Sequence, residues 1–151
     1  MELREGGLGD SRVCALIEHH LAEARGSTPA DNAHALAAPA LDRPDISFWA
    51  MWEGEALLGI GALRRLDSGH AEIKSMRTAP DHLRRGVASA ILAHLIALAR
   101  ERGFARVSLE TGTAPMFDAA NRMYERAGFA DCAPFAGYPA SAHNRFMTLR
   151  L

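Results

Sequence analysis

Two spacings of apolar residues run through this chain. A helical spacing links Val13, Leu16, Ile17, His20, Leu21 and Ala24, with Ser11 as the expected N-cap and Gly26 as the stop. A second amphipathic run covers 86–102 and ends at Gly103. A third begins at Pro115, a residue suited to the first helical position, and places Met116, Ala119, Ala120, Met123, Tyr124 and Ala127 on one face before Gly128. The segment 27–44, rich in Ala, Pro, Asp and Asn, accommodates a short further helix over 30–36. Strand patterns occupy 2–4, 46–52, 57–66, 71–78, 106–110, 129–133 and 145–151. Glu53-Gly-Glu-Ala joins the second and third as a hairpin, Asp67-Ser-Gly turns into the fourth, and Thr111-Gly-Thr closes the fifth.

The strand 71–78 breaks the pattern. It places Glu72, Lys74, Ser75 and Arg77 where a central strand should carry core side chains. Such a conflict between local sequence and fold marks a functional site. Pro80, a basic loop with Arg84 and Arg85, and Gly86 follow it, and then the helix begins. Free backbone N–H groups at a helix start, beside two arginines, make an anion site. The order of elements predicts a mixed α/β domain: antiparallel hairpins, a β-α-β crossover, a further helix and a closing hairpin. The crossover makes strands 71–78 and 106–110 parallel and puts a ligand crevice at their C-terminal ends.

Composition narrows the field a little. A length of 151 residues suits one domain, 1–151, with no repeat or linker. A net charge of −1 gives no support to nucleic acid or a membrane surface as partner. Cys14 and Cys132 show neither metal spacing nor a disulfide framework, which suits a reducing cytoplasm. No signal segment or membrane span is expected, since Ser89 and His94 interrupt the longest apolar run. The seven histidines lack ligand spacing, so no metal is expected.

Two motifs in register carry a family resemblance. Pro80, Gly86 and Ala88, leading into the helix, are similar to the acyl-coenzyme A loop of the GNAT acetyltransferase superfamily. Met123-Tyr-Glu-Arg-Ala-Gly-Phe129 resembles its second signature, Leu-Tyr-x-x-x-Gly-Phe. The runs Glu-Ile-Lys-Ser-Met-Arg-Thr, Leu-Glu-Thr-Gly and Phe-Met-Thr resemble a YsnE-like bacterial subgroup of N-acetyltransferases. The chain departs from the pattern at Leu83, where Arg or Gln usually stands, at Arg84, where Gly is common, and at Phe117, where Asn is frequent.

The resemblance implies a GNAT fold: a mostly antiparallel mixed sheet with a splayed parallel pair formed by the fourth and fifth strands. It implies acetyl-coenzyme A as co-substrate, contacted by Met76, Arg77 and Thr78 along the strand and by Arg84, Arg85, Gly86, Val87, Ala88 and Ser89 at the helix start. The reaction implied is acetyl transfer to a primary amine by direct attack, in the cytoplasm. The acceptor would be a small molecule before a protein lysine or N-terminus; homodimers are common among such proteins. The rival reading is a non-catalytic acyl-coenzyme A-binding sensor.

The amine must lose a proton before it attacks, and Glu72 is the candidate base, with Glu110 as the rival carboxylate. Glu72 also has a plain alternative, pairing with Lys74 or a neighbouring Arg. Tyr124 fills the motif position of the acid that meets the leaving thiolate, or is a core tyrosine with a satisfied hydroxyl. Backbone N–H groups near Met76–Thr78 are expected to face the carbonyl oxygen. Arg64, Arg65, Lys74 and Arg77 either bind an acidic acceptor or are solvated and mutually paired. His34, Phe48, Phe135 and Tyr138 suggest an amphipathic acceptor pocket. Of Trp49 and Trp52, one should be core and the other should line a pocket.

Overall fold

The structure, a computed structural model, describes residues 1–27 and 34–151. In chain order the elements are β1 (Glu2–Glu5), α1 (Ser11–Ser27), α2 (Ala38–Leu41), β2 (Ile46–Glu53), β3 (Ala56–Arg65), β4 (His70–Thr78), α3 (Val87–Glu101), β5 (Arg106–Gly112), α4 (Asp118–Arg126), β6 (Ala130–Asp131) and β7 (Asn144–Arg150). Single 3₁₀ turns occupy Pro80–His82 and Pro115–Phe117. The strands form one sheet ordered β1-β2-β3-β4-β5-β7-β6. All neighbours are antiparallel except β4 and β5, as the crossover through α3 requires.

Two apolar layers hold the sheet. On one face α3 buries Val87, Ile91, Leu92, Leu95, Ile96 and Ala99 against Leu58, Leu63, Ile73, Val107 and Leu109. Each large side chain contributes roughly 1.5–3 kcal/mol by leaving water. On the other face Val13, Leu16, Ile17 and Leu21 of α1 pack on Phe48, Ala50, Trp52, Ile60 and Ala62 of β2 and β3. Part of that second face, on β4, β5 and β7, is covered by the loop 134–144 rather than by a helix: Tyr138 bonds Lys74 and Glu72, and Phe135 packs on His70 and Phe146.

Several expectations need correction. Asp10, not Ser11, caps α1: its Oδ1 accepts the Arg12 N–H at 2.8 Å. The expected helix over 30–36 falls mostly outside the described residues; 34–36 are not helical, and the short helix sits at Ala38–Leu41. Thr111 and Gly112 are strand, not turn, because β7 pairs with β5 as far as Gly112↔Asn144. The α4 stripe also shifts. Pro115–Phe117 form a 3₁₀ turn, so the α-helical phase starts at Asp118 and buries Asn121, Met123 and Tyr124, leaving Met116, Ala119 and Ala127 exposed. Trp52 is core, as expected of one tryptophan, but Trp49 packs edge-on against His94 of α3 rather than lining the cleft. Phe48 is core under α1.

Candidate active site

The site begins where the parallel pair stops. β4 and β5 pair only from His70↔Arg106 to Ile73↔Leu109, and beyond these residues they diverge. A bulge in β4 coincides with the divergence. Its pairing with β3 steps from Ala62↔Lys74 to Ile60↔Arg77, so Ser75 and Met76 together face Gly61. Ser75 takes a φ of +56°, a strained value for a residue with a side chain. The strand therefore turns its β5-facing backbone groups into an open crevice instead of a ladder.

The crevice holds a cavity of about 190 Å³. Glu72, Lys74, Met76 and Arg77 line it from β4, Glu110 from β5, Tyr124 from α4 and His20 from α1. The crevice also takes in His34 and Asn144. The polar strand is thus explained: its side chains face a cavity and a polar loop, not a greasy core.

The two carboxylates sit in different surroundings. Glu72 is 1% exposed and charge-matched. Lys74 Nζ donates to its Oε2 at 3.3 Å, the Tyr138 hydroxyl donates to Oε1 at 3.3 Å, and Arg64 Nη1 stands 3.6 Å from Oε1. Lys74 Nζ also donates to the Tyr138 hydroxyl at 2.8 Å. Glu110 accepts from His34 Nδ1 and, at 3.0 Å, from Asn144 Nδ2, both through Oε2. Its Oε1 has no protein partner among the described residues. Burial pushes the Glu110 pKa above the usual carboxylate range, against the opposing pull of His34.

Tyr124 also lacks a protein partner for its hydroxyl among the described residues, yet its residue lines the cavity. Burial pushes its phenol up to about 12, partly offset by the Arg77 charge. Arg77 Nε donates to His20 Nδ1 at 3.0 Å. Burial, helped by the charges of Arg77, His19 and Lys74, holds His20 down at about 3, so its imidazole is neutral and accepts.

From the cavity, the free edge of β4 leads through Pro80–His82 to the start of α3. Gly86 caps α3 at φ +76° with no side-chain bond, and a Cβ added there would meet nothing within 4 Å. Its glycine therefore serves the left-handed backbone, not packing. The first intrahelical bond is Ala90 N–H to Gly86 O, which leaves the Val87, Ala88 and Ser89 N–H groups pointing out of the helix start. Arg84 is exposed and makes no protein bond; it too is left-handed, at φ +62°. Arg85 is committed elsewhere: its Nη2 holds both Glu53 oxygens at 2.9 Å, and its Nη1 lies 3.0 Å from His82 Nδ1. Outward N–H groups, an open glycine and a free arginine fit a pyrophosphate, and the bared β4 edge fits an amide-bearing arm.

Three contributors escaped the sequence pattern. Asn121 is buried and ties down the end of β5, donating to Gly112 O at 3.0 Å and accepting from Thr111 Oγ1 at 2.8 Å. Its position three residues before Tyr124 on one helix face was the available signal. His20 stood on the apolar stripe of the first helix, which pointed to its burial but not to its bond with Arg77, and Asn144 had no comparable signal. Phe117 lies over Gly112 so closely that a Cβ there would stand 2.2 Å from its ring.

Among the described residues no group of three metal-ligating side chains occurs, and no helix is long and apolar enough to cross a membrane.

Comparisons with known proteins agree with this geometry. A profile of the acetyltransferase (GNAT) family matches residues 14–129. The uncharacterized N-acetyltransferase YedL of Escherichia coli is 50% identical over 139 residues, spanning 92% of this chain and 87% of that protein. The uncharacterized N-acetyltransferase YsnE of Bacillus subtilis is 44% identical over the full length of both. Among solved structures, Rv2747 from Mycobacterium tuberculosis, in complex with CoA and NLQ, superposes with a TM-score of 0.72 at 20% identity, covering 100% of this chain and 99% of that one. The chain belongs to the GNAT acetyltransferase family, whose fold binds acetyl-coenzyme A and whose members acetylate amines.

Proposed function

We propose that this chain, as one cytoplasmic domain, moves the acetyl group of acetyl-coenzyme A to a primary amine on a small molecule by direct attack. One observation carries the reading: Tyr124 and Glu110 line the same cavity where β4 and β5 part, and among the described residues neither the tyrosine hydroxyl nor Glu110 Oε1 has a protein bond. A binding-only sensor has no use for that convergence. The volume of about 190 Å³ favours a small acceptor over a polypeptide. Two free thiols, Cys14 and Cys132, suit a reducing compartment.

Val87, Ala88 and Ser89 N–H groups, with Arg84, would hold the pyrophosphate. The β5-facing backbone of Met76–Thr78 would hold the pantetheine arm and meet the carbonyl oxygen as charge gathers there. Acetyl-coenzyme A supplies an acyl group already activated as a thioester.

Glu110 is the better base. It lines the cavity with no protein bond to its Oε1 among the described residues, and its raised pKa moves it toward working pH, whereas Glu72 is held between Lys74, Arg64 and Tyr138. Glu72 instead fixes the charge pattern of the acceptor wall. Tyr124 faces the leaving thiolate. Its pKa of about 12 lies well above the ~8.5 of a thiol, so complete proton transfer would be uphill by roughly 4–5 kcal/mol. Tyr124 therefore stabilises the thiolate as a hydrogen-bond donor rather than protonating it outright. A panel of small amines with acetyl-coenzyme A, read by free-thiol release and by mass of the product, tests the whole reading. Tight acetyl-coenzyme A binding with no acetylated amine across the panel would favour the sensor.

A further inference from the structure

β3 and β4 carry four basic residues, Arg64, Arg65, Lys74 and Arg77, and three are accounted for. Arg65 lies over the Phe104 ring, 5.4 Å from its centroid. Arg64 and Lys74 both serve Glu72, and Arg64 also reaches Asp45 at 3.7 Å. Arg77 remains. It lines the cavity half-buried, and among the described residues no carboxylate lies within 4.0 Å of it; Glu23 of α1 acts on it only at longer range, against a larger opposing effect of burial. Its one protein bond goes from Nε to the neutral ring of His20, which orients the guanidinium and neutralises none of its charge. The two terminal nitrogens are thus left to present a planar fork to a ligand.

We infer that the acceptor carries a carboxylate as well as its amine, that is, it is an amino acid, with Arg77 binding the carboxylate while Glu110 receives the amine. This rests on the acetyltransfer reading above and narrows its substrate. A cationic group half-removed from water favours an anion that pairs with it in place of the lost solvent. Three further details agree. Glu110 lines the same cavity from β5 as Arg77 does from β4, so a cation and a proton-accepting carboxylate share one cavity, which matches a zwitterion. The Arg77 charge is felt at the Tyr124 hydroxyl, so a carboxylate held there lies near the reaction centre. That suits a short separation of carboxylate and amine, as in an α- or β-amino acid. The cavity of about 190 Å³ also suits a single amino acid.

The experiment compares free amino acids with their carboxamides as acceptors, in the wild type and in Arg77→Met and Arg77→Lys. Acetyl-coenzyme A binding and melting temperature are measured on every sample. In the wild type the acids should exceed their amides in kcat/KM by at least tenfold, mainly through KM. In Arg77→Met the ratio should collapse toward one, and Arg77→Lys should restore part of it. Amides used as well as acids by the wild type would overturn the inference while leaving acetyltransfer intact. A preference for acids that survives Arg77→Met would overturn the role of Arg77. Failure of every amine, acid or amide, in a protein that binds acetyl-coenzyme A would remove this inference and the acetyltransfer reading together.

Discussion

Replacing Tyr124 by Phe removes one hydroxyl and keeps the ring. The ring is 7% exposed and makes an edge contact with Phe129 at 6.0 Å between centroids, and both survive the change. A core tyrosine bonded to its neighbours would lose about 1 kcal/mol with its hydroxyl. That is about 2–4 °C in Tm for a chain of this length. The Tyr124 hydroxyl has no protein bond to lose among the described residues, so Tm should stay within about 1 °C of wild type. The rate should not stay. A preorganised donor facing developing charge is worth ~10²–10³ in kcat, or ~2.7–4 kcal/mol. With its pKa raised to about 12 the donor stays protonated at any working pH, so the defect should not vary between pH 6 and about 9. Thiol release under saturating acetyl-coenzyme A gives kcat, calorimetry gives cofactor affinity, and a melting scan uses the same protein. A Phe variant with kcat within threefold of wild type would refute the donor role. A Tm lower by several degrees would refute the premise that the hydroxyl faces the cavity unbonded.

The carboxylates should separate by stability as well as by rate. The raised Glu110 pKa means that its ionisation costs stability, a penalty that appears as pH rises through the folded pKa. Glu110→Gln should therefore melt higher than wild type at pH 7, lose that gain toward pH 4, and abolish turnover along with the acid limb of the kcat/KM profile. Glu72→Gln should instead leave Lys74 without a carboxylate and Arg64 with Asp45 alone, and lower stability, by up to ~3–5 kcal/mol, with unfolding scans as the check. At the cofactor loop, Arg84→Gly should relieve a left-handed backbone worth ~1–2 kcal/mol against ~0.5–1 kcal/mol of glycine entropy. The expected result is a slightly higher Tm with acetyl-coenzyme A bound about two- to fivefold more weakly, the exposed charge being worth under ~1 kcal/mol. Gly112→Ala should cost ~1–3 kcal/mol by driving a Cβ into the Phe117 ring, and Phe117→Ala should rescue it in a double-mutant cycle; additive effects would deny the contact.

Much of the fold was readable because its signals are local. The stripe Val13-Leu16-Ile17-Leu21 needs only its own spacing to show which face α1 buries, and Gly103 and Gly128 end α3 and α4 where a left-handed residue is required. The errors fall where distant partners decide. Thr111-Gly112 has turn composition, yet β7 arrives from more than thirty residues downstream and pairs it into the sheet. α4 looked longer than it is because its apolar spacing continues back through Pro115–Phe117, where a 3₁₀ turn breaks the phase.

The site shows the same division more sharply. That β4 departs from an ordinary central strand was visible in its own residues, since Glu72, Lys74, Ser75 and Arg77 are poor core material, and the structure places all four along the cavity. Which carboxylate is the better candidate base was not, because Glu72 and Glu110 are the same residue type near the diverging ends of neighbouring strands. Their difference comes from chain far away in sequence. Arg64 on β3 and Tyr138 on the 134–144 loop match Glu72, while His34 and Asn144 take only one oxygen of Glu110 and leave the other open. The same logic singles out Arg77. In sequence it is one of four basic residues with equal claims, and only the partners found by Arg64, Arg65 and Lys74 leave it, among the described residues, as the one of the four with neither a carboxylate within 4.0 Å nor an aromatic ring under it. Residue type marks the strand as unlike a core strand, and the tertiary partners decide which of its charges are paired inside the protein and which stay available at the cavity.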